Sequence, residues 1–202
     1  TMYIKWGLDT LVSLADYNIA GYLNARLKPV QELDAVNEWG KRSVLLSKNP
    51  GILDGFSLNS KNPLESIIRS TIRYTLNKDT LEASITIPAL VPGINFHVPG
   101  RFPLFSLVID PAVIPDLHYA IPDYKPSSKS FEHVFHDIRT TEWYPVLNGA
   151  PEMSMQMKID FTPPDRDFIF MMSVGIRFGT IGADGQVKQL PRAGAAKIIG
   201  VV

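Results

Sequence analysis

The residues in this sequence most able to do chemistry are His133 and His136, which stand three positions apart beside acidic side chains. On an α-helix both imidazoles would share one face and could bind a metal ion together with Asp137 or Glu132. On a β-strand residues three apart point to opposite faces, and the pair is lost. Residues 131–146 fit either structure, and we favour the strand, in which the two histidines are surface residues beside acids.

Four aromatic residues near predicted loops form a second candidate site: Tyr119, Tyr124, Trp143 and Tyr144. Aromatic side chains on loops can provide a flat amphipathic platform for a sugar or a peptide. The alternative role is structural, since large aromatic side chains also close the ends of a β-sandwich core. The sequence leaves both roles open.

Other catalytic chemistries lack the residues that they need. The chain has no cysteine, which excludes disulfides, cysteine nucleophiles and thiolate metal sites. It contains neither the Gly-x-Ser-x-Gly nucleophile elbow nor the His-Glu-x-x-His zinc motif. Asp160, Asp165 and Asp167 flank a predicted turn, where solvation explains them better than paired acid and base catalysis does. We therefore favour a non-enzymatic role and predict no cofactor.

The charge and hydropathy of the chain argue against two classes of partner. Lysine and arginine together number 20, as do aspartate and glutamate, so the net charge is zero. The sequence therefore has no excess of positive charge that would favour binding to nucleic acid. No apolar run approaches the roughly 20 residues that a membrane-spanning helix needs. If Met2 is the native start we expect a cytoplasmic protein, whereas removal of a signal peptide before Thr1 would make it an exported one.

The elements that must position these residues begin with a helical N-terminal quarter. Apolar residues at three- and four-residue steps predict a helix over residues 8–27. A second helix is predicted from Pro29 to Trp39. Ser43 to Leu46 is a short apolar segment that fits a strand, and Asn49-Pro50-Gly51 is a turn.

The strongest strand signal runs from Met153 to Phe178. Apolar and polar residues alternate without a break as far as Phe161, which is typical of a half-buried strand. Two prolines then end this strand, and alternation resumes at Phe168. We predict that the two strands pair as a hairpin with Phe161 opposite Phe168, because every inward side chain then meets another inward side chain.

A second alternating hairpin is predicted over residues 68–87. A two- or four-residue loop matches the inward faces of its strands and sets Leu76 against Leu81 and Tyr74 against Ala83. A three-residue loop would set an inward side chain against an outward one. We therefore predict the first arrangement.

The middle of the chain is interrupted by proline every few residues from Pro88 to Pro126, which predicts strands that are short or lie at sheet edges. The candidate strands there are Ile94–Val98, Leu104–Ile109 and Leu117–Ile121. Near the end of the chain, Ala183-Asp184-Gly185 predicts a three-residue hairpin loop that pairs Ile181 with Val187. Residues 195–202 form a final apolar strand.

Together these elements predict a mainly β protein, an antiparallel immunoglobulin-like β-sandwich with an N-terminal helical segment. The turn near Asn49 is the predicted boundary between a helical arm, residues 1–49, and a β-sandwich domain, residues 50–202. We expect the arm to pack on the sheet at Ile169 and Met171, because these residues make the second face of their strand apolar.

Three segments resemble uncharacterised β-sandwich families of gut bacteria: SVLLSKNPGILDGF at 43–56, FMMSVGIRFG at 170–179 and GAAKIIGVV at 194–202. The resemblance implies an all-β core and brings no activity with it. A protein partner, or self-association through the arm, is then expected at sandwich edges and end loops rather than a small molecule. The alternative is a carbohydrate-binding or hydrolytic domain that uses the loop aromatics and the histidine cluster.

Overall fold

The chain is mainly β, as the alternation in its sequence predicts. A computed structural model describes residues 1–202, with 39% of them in strands and 20% in helices. The α-helices are α1 Met2–Leu8, α2 Ile19–Glu32 and α3 Leu64–Ile67. The strands are β1 Arg73–Asn77, β2 Glu82–Ile87, β3 Leu104–Pro115, β4 Leu117–Ala120, β5 Asp123–Pro126, β6 Phe135–His136, β7 Arg139–Thr140, β8 Tyr144–Pro145, β9 Met153–Lys158, β10 Phe168–Ile181 and β11 Val187–Val201. None of the helices has the length and apolar character needed to cross a membrane.

Two antiparallel sheets share one apolar core. The main sheet has the order β11-β10-β3, and the two-residue strands β6, β7 and β8 all pair with the other edge of β3. The small sheet has the order β1-β2-β9, and the hairpin of β4 and β5 forms a sheet of its own.

Strand β10 is central because both of its faces are buried. The face toward the small sheet is apolar throughout and carries Phe168, Phe170, Met172, Val174, Ile176 and Phe178. These side chains belong to one cluster with the inward residues of the small sheet, such as Ile85 and Met157. Burying one side chain of this kind contributes roughly 1.5–3 kcal/mol to stability.

The opposite face of β10 is covered by the N-terminal arm. Ile169 and Met171, where we expected the arm to pack, share a core with Ile4 and Leu11 of the arm. Gly7 of α1 lies so close to the sheet that a Cβ atom there would collide with neighbouring side chains. The domain boundary near Asn49 stays a prediction.

The predicted pairing of Met153–Phe161 with Phe168–Phe178 is wrong. β9 pairs with β2, which places Met155 opposite Ile85, whereas β10 pairs with β3 and β11. Both strands still direct apolar side chains into the same core, but they do so from opposite sheets. Alternation fixes which face of a strand is buried, and any neighbour with a matching face satisfies it.

The hairpin of β1 and β2 forms with the predicted faces but with a register displaced by two residues. Leu76 lies opposite Ala83, and Tyr74 lies opposite Ile85. The loop is tightened by Asn77, whose side-chain oxygen accepts from the backbone N–H groups of Asp79 and Thr80. This local turn, which alternation cannot reveal, selects the register.

Strand β3 contradicts the expectation that the proline-rich region holds only short or edge strands. It runs for 12 residues through Pro111 and pairs on one side with β10 along its length. The carbonyl of Pro111 accepts from the N–H of Asp137, on the side of the short strands. The missing N–H of Pro111 faces the same side, so the ladder with β10 loses nothing. The candidate strand Ile94–Val98 makes only isolated bridges, at Phe96.

The helical arm is more broken than the predicted helices over residues 8–27 and Pro29–Trp39. A 3-10 helix, Asp9–Leu14, follows α1, and α2 begins where the Asn18 side chain accepts from the N–H of Ala20. α2 passes through Pro29 and ends at Glu32. Asp34 then accepts from the N–H groups of Val36 and Asn37 and turns the chain away from a helical path.

The end of the chain follows its prediction. The N–H of Gly182 donates to the carbonyl of Gln186, which closes a three-residue loop with Gly185 at a φ of +74°. Ile181 lies opposite Val187 as predicted, and the final strand extends the predicted segment to become β11.

Candidate functional site

Two of the three predicted metal residues, His136 and Asp137, lie beside β3 and contact other groups. His136 sits in the short strand β6, with its Nδ1 atom 3.5 Å from Oδ1 of Asp110. Asp137 forms an ion pair with Arg139 at 2.9 Å, and His133 is exposed. No group of three or more His, Asp or Glu side chains that could hold a metal ion is present. Residues 131–146 form a 3-10 turn and three two-residue strands instead of a helix.

The partner of His136, Asp110, is a residue that sequence reasoning missed. Its carboxylate has 0% exposure in the middle of β3, has no hydrogen-bond partner, and makes one ion-pair contact, the 3.5 Å contact to His136. Ser173, directly opposite on β10, is also buried without a hydrogen bond. Burial raises the pKa of Asp110, and the Asp110 carboxylate raises the pKa of His136. The signal was one charged residue inside the apolar run LFSLVIDPAVIP.

The four predicted aromatic residues fall into two separate pairs. Tyr119 and Tyr124 face each other across the hairpin of β4 and β5, with ring centroids 5.6 Å apart. Tyr144 pairs with Phe105 near the opposite end of β3. Trp143 lies there too, 4.7 Å from the Arg177 guanidinium. The structure therefore does not assemble the predicted platform, because the two pairs lie near opposite ends of β3, about 30 Å apart.

A groove between β1 and β11 collects a different set of residues. We call it the edge groove; it has a volume of about 450 Å³ and lies between β1, β11 and the turn before residue 56. Its lining includes Asp54, Glu65, Ile68, Ile72, Tyr74 and Lys197. These residues come from three separated stretches of the chain, 54–55, 64–74 and 197–199, so no local sequence motif predicts the groove.

Tyr74 forms one wall of the edge groove. Its ring lies against the backbone of Gly200, where a Cβ atom would have no room. The side chain is nevertheless 38% exposed, so one part of the ring remains open to the groove. Burial, together with the charge of Asp54, raises the pKa of Tyr74. The tyrosine is therefore neutral at physiological pH.

The charged residues of the edge groove are only partly paired. Lys197 forms an ion pair with Glu65. Burial works against ionisation of Glu65, but hydrogen bonds and the Lys197 ammonium outweigh it and lower the pKa of Glu65. Asp54 is exposed and takes part in none of the ion pairs in the protein. The groove therefore holds one carboxylate, that of Asp54, which forms no ion pair, and its lining has one more acidic than basic side chain.

Strand β1 adds an unpaired backbone edge to the edge groove. It is the outermost strand of the small sheet and pairs with β2 alone. The N–H of Ile159 donates to the carbonyl of Leu81, so these two residues form a hydrogen-bonded pair at the end of the β2–β9 ladder. Hydrogen-bonded pairs alternate along an antiparallel ladder. The odd-numbered residues of β2 therefore bond to β9, and the even-numbered residues bond to β1. In β1 the N–H and C=O groups of Tyr74 and Leu76 therefore point outward, toward solvent.

No family model, curated protein or solved structure matches this chain. The resemblance to β-sandwich families of gut bacteria stays a prediction.

Proposed function

We propose that this protein is a non-enzymatic interaction module that binds an extended polypeptide segment along the free edge of β1. The observation that carries the proposal is the outward N–H and C=O pattern of Tyr74 and Leu76 beside the edge groove. An extended peptide gains affinity by adding to such an edge and gains specificity from pockets that receive alternate side chains.

The position of the edge groove suits this mode of binding. Ile72, Tyr74 and Leu76 lie on the face of the small sheet that turns toward the core. Side chains of an added strand would alternate between the two faces, so every second one would lie on the same face as Tyr74. That face opens into the edge groove, whereas the other face of the small sheet is polar and exposed.

An immunoglobulin-like architecture belongs to the same proposal. Sandwiches of that class present edges and end loops as contact surfaces, and β1 is such an edge. The proposed occupant is a segment of a different protein. Self-association of two β1 edges is the main competing outcome, which light scattering at increasing protein concentration would reveal as dimer formation.

Selection from a random peptide library displayed on phage tests the proposal. Enriched peptides should protect the amides of Tyr74 and Leu76 from hydrogen exchange, because an added strand takes up these donors. Peptides that bind without this protection, or a library that gives no binder, would contradict addition to β1.

Two substitutions of Tyr74 distinguish the contribution of the β1 backbone to peptide binding from the contribution of the edge groove. Tyr74→Ala removes the ring and keeps the outward N–H, whereas Tyr74→Pro removes both. Because the Tyr74 N–H is not part of the ladder with β2, proline there costs no hydrogen bond of the sheet. We expect Tyr74→Pro to bind about tenfold more weakly than Tyr74→Ala, as expected for loss of about one hydrogen bond. Equal affinities of the two variants would exclude the backbone edge.

A carbohydrate-binding function is the second candidate, and the partly open Tyr74 ring beside Ser70 and Thr71 favours it. A glycan-array screen distinguishes it from peptide binding. Sugar binding lost in Tyr74→Ala would place the ligand in the edge groove. Loss in Trp143→Ala instead would place it at the loop aromatics.

A further inference from the structure

The edge groove has an unequal distribution of charge. Asp54 and Glu65 provide two carboxylates, and Lys197 provides one ammonium group. Lys197 is paired with Glu65, whereas Asp54 forms no ion pair although Lys197 lines the same groove. A ligand with positive charge would supply the missing partner.

The edge groove also has an aromatic wall suited to a cation. The backbone of Gly200 occupies the space behind the Tyr74 ring, which fixes the ring in place. An ammonium or guanidinium group over an open aromatic face gains roughly 0.5–1 kcal/mol at an exposed site. Asp54 and Tyr74 both line this groove, which places the carboxylate and the ring within one binding volume.

The rest of the wall is aliphatic. Ile68 is buried at the base of the edge groove, and Ile72 and Ile199 are half-buried beside it. Such a surface covers the methylene stem of a long charged side chain while its head group remains near polar atoms. The groove thus combines an apolar channel with an anionic, aromatic end.

We propose that the edge groove binds the side chain of a lysine or arginine, a cationic head group on an aliphatic stem. This inference rests on the proposed function, in which that residue belongs to the segment added to β1. The head group would pair with Asp54 and lie against Tyr74, and the stem would contact Ile68 and Ile72.

Single blocked amino acids test the edge groove without the rest of a peptide. The probes are the N-acetyl N-methylamides of lysine, arginine and norleucine, of which norleucine has the stem and lacks the charge. In NMR titrations of the protein we expect the lysine and arginine probes to shift the amide signals of Gly55, Tyr74 and Gly200. The norleucine probe should bind at least about fivefold more weakly.

Asp54→Asn should remove this preference for the cationic probes. The matched control is Asp123→Asn, which changes the net charge equally at an exposed hairpin residue outside the edge groove. Equal shifts with norleucine, or an unchanged preference in Asp54→Asn, would overturn the inference.

The outcomes separate the inference from the proposed function. Library peptides that protect the β1 edge but carry no basic residue would retain the function and refute the cationic side chain. Probe binding that depends on Asp54, without any peptide binding, would retain a cation site and refute the polypeptide partner.

Discussion

The two faces of β10 are covered in different ways. One face carries only apolar side chains and is covered by the regular strands of the small sheet. The other carries Ile169 and Met171 followed by Ser173 and Gly175, and the arm of helices and turns covers it. Strand β10 therefore allows a comparison of what packing against regular strands requires, which we call the regular cover, with what packing against the arm requires, which we call the irregular cover.

The irregular cover depends on polar side chains that bind its backbone. Asn59, at 4% exposure, donates to the carbonyls of Leu14 and Gly194 and accepts from the N–H of Ala196. Asp116 accepts from the N–H of Ser47 at 2.8 Å. Backbone groups in turns have no ladder partners, and a buried one costs free energy unless a side chain satisfies it. Apolar packing is enough to hold an element on β10 only where the strand ladder already satisfies the backbone hydrogen bonds of that element.

Asp34 gives the arm a similar connection. Its carboxylate accepts from the Asn37 side chain and from the backbone of Ser43, Asn37 and Val36, and these bonds lower the pKa of Asp34. A depressed pKa makes a contribution to stability that is present above about pH 4 and is lost as the pH falls. The hydrogen bonds that Asp34 accepts should therefore weaken as the pH falls below about 4.

The largest effect is expected from Phe170→Ala on the regular face. Phe170 is fully buried in the core between the sheets, and its removal leaves a cavity. We expect a loss of about 3–5 kcal/mol in the free energy of unfolding, measured in urea. Tyr22→Ala, at a residue with 64% exposure, is the matched control and should change stability little. A small loss in Phe170→Ala would show that the two sheets do not share a tightly packed core.

Asn59→Ala tests the irregular face. It leaves two carbonyls and one N–H without their buried partner, and we expect a loss of about 2–4 kcal/mol. Hydrogen exchange should increase in the arm while the small sheet stays protected. The control Asn18→Ala removes an exposed helix cap and should cost only about 1 kcal/mol. Uniform loss of protection in Asn59→Ala would mean that the arm has no separate stability.

Two glycine substitutions sharpen the comparison because they should act in opposite directions. In Gly175→Ala the new methyl group meets Leu11 and Leu14 of the arm, and we expect a loss of about 1–3 kcal/mol. In Gly21→Ala, on the open side of α2, nothing lies within 4 Å, and we expect a gain of about 0.5–1 kcal/mol. Urea titrations of both variants measure the difference. A neutral Gly175→Ala would show that the arm packs loosely on β10.

The smallest effect concerns the pH dependence that Asp110 confers on the irregular face. The pKa values of Asp110 and His136 are both raised, so the folded protein binds more protons than the unfolded chain. Stability should therefore fall as the pH rises from about 4 through the histidine range near about 6.5 and beyond. The other charges that influence the pair, Asp9 and Asp137, act in the same direction.

Asp110→Asn should flatten this slope, measured as the urea midpoint at several pH values between acid and mildly alkaline conditions. The exposed Asp123→Asn serves as the control and should keep the wild-type slope. A wild-type slope in Asp110→Asn would assign the pH dependence to other groups.

Local patterns predicted much of the fold and little of the candidate site. The alternation in 153–158 and 168–178 correctly indicated which side chains enter the core between the two sheets, and Gly185 correctly indicated its loop. The pairing of β9 could not be predicted, because β2 and β10 both offer a matching apolar face. The edge groove could not be predicted either, since Asp54, Tyr74 and Lys197 meet only after both sheets have formed.

The sequence alone determined the mainly β character of this protein and the apolar faces of its strands, because these properties depend on side chains two positions apart. Tertiary structure decided which strands became neighbours, where the arm ended its helices and that the outer edge of β1 stayed unpaired. The physical reason is that burial constrains each strand separately, whereas pairing is settled by competition among all strands with compatible faces.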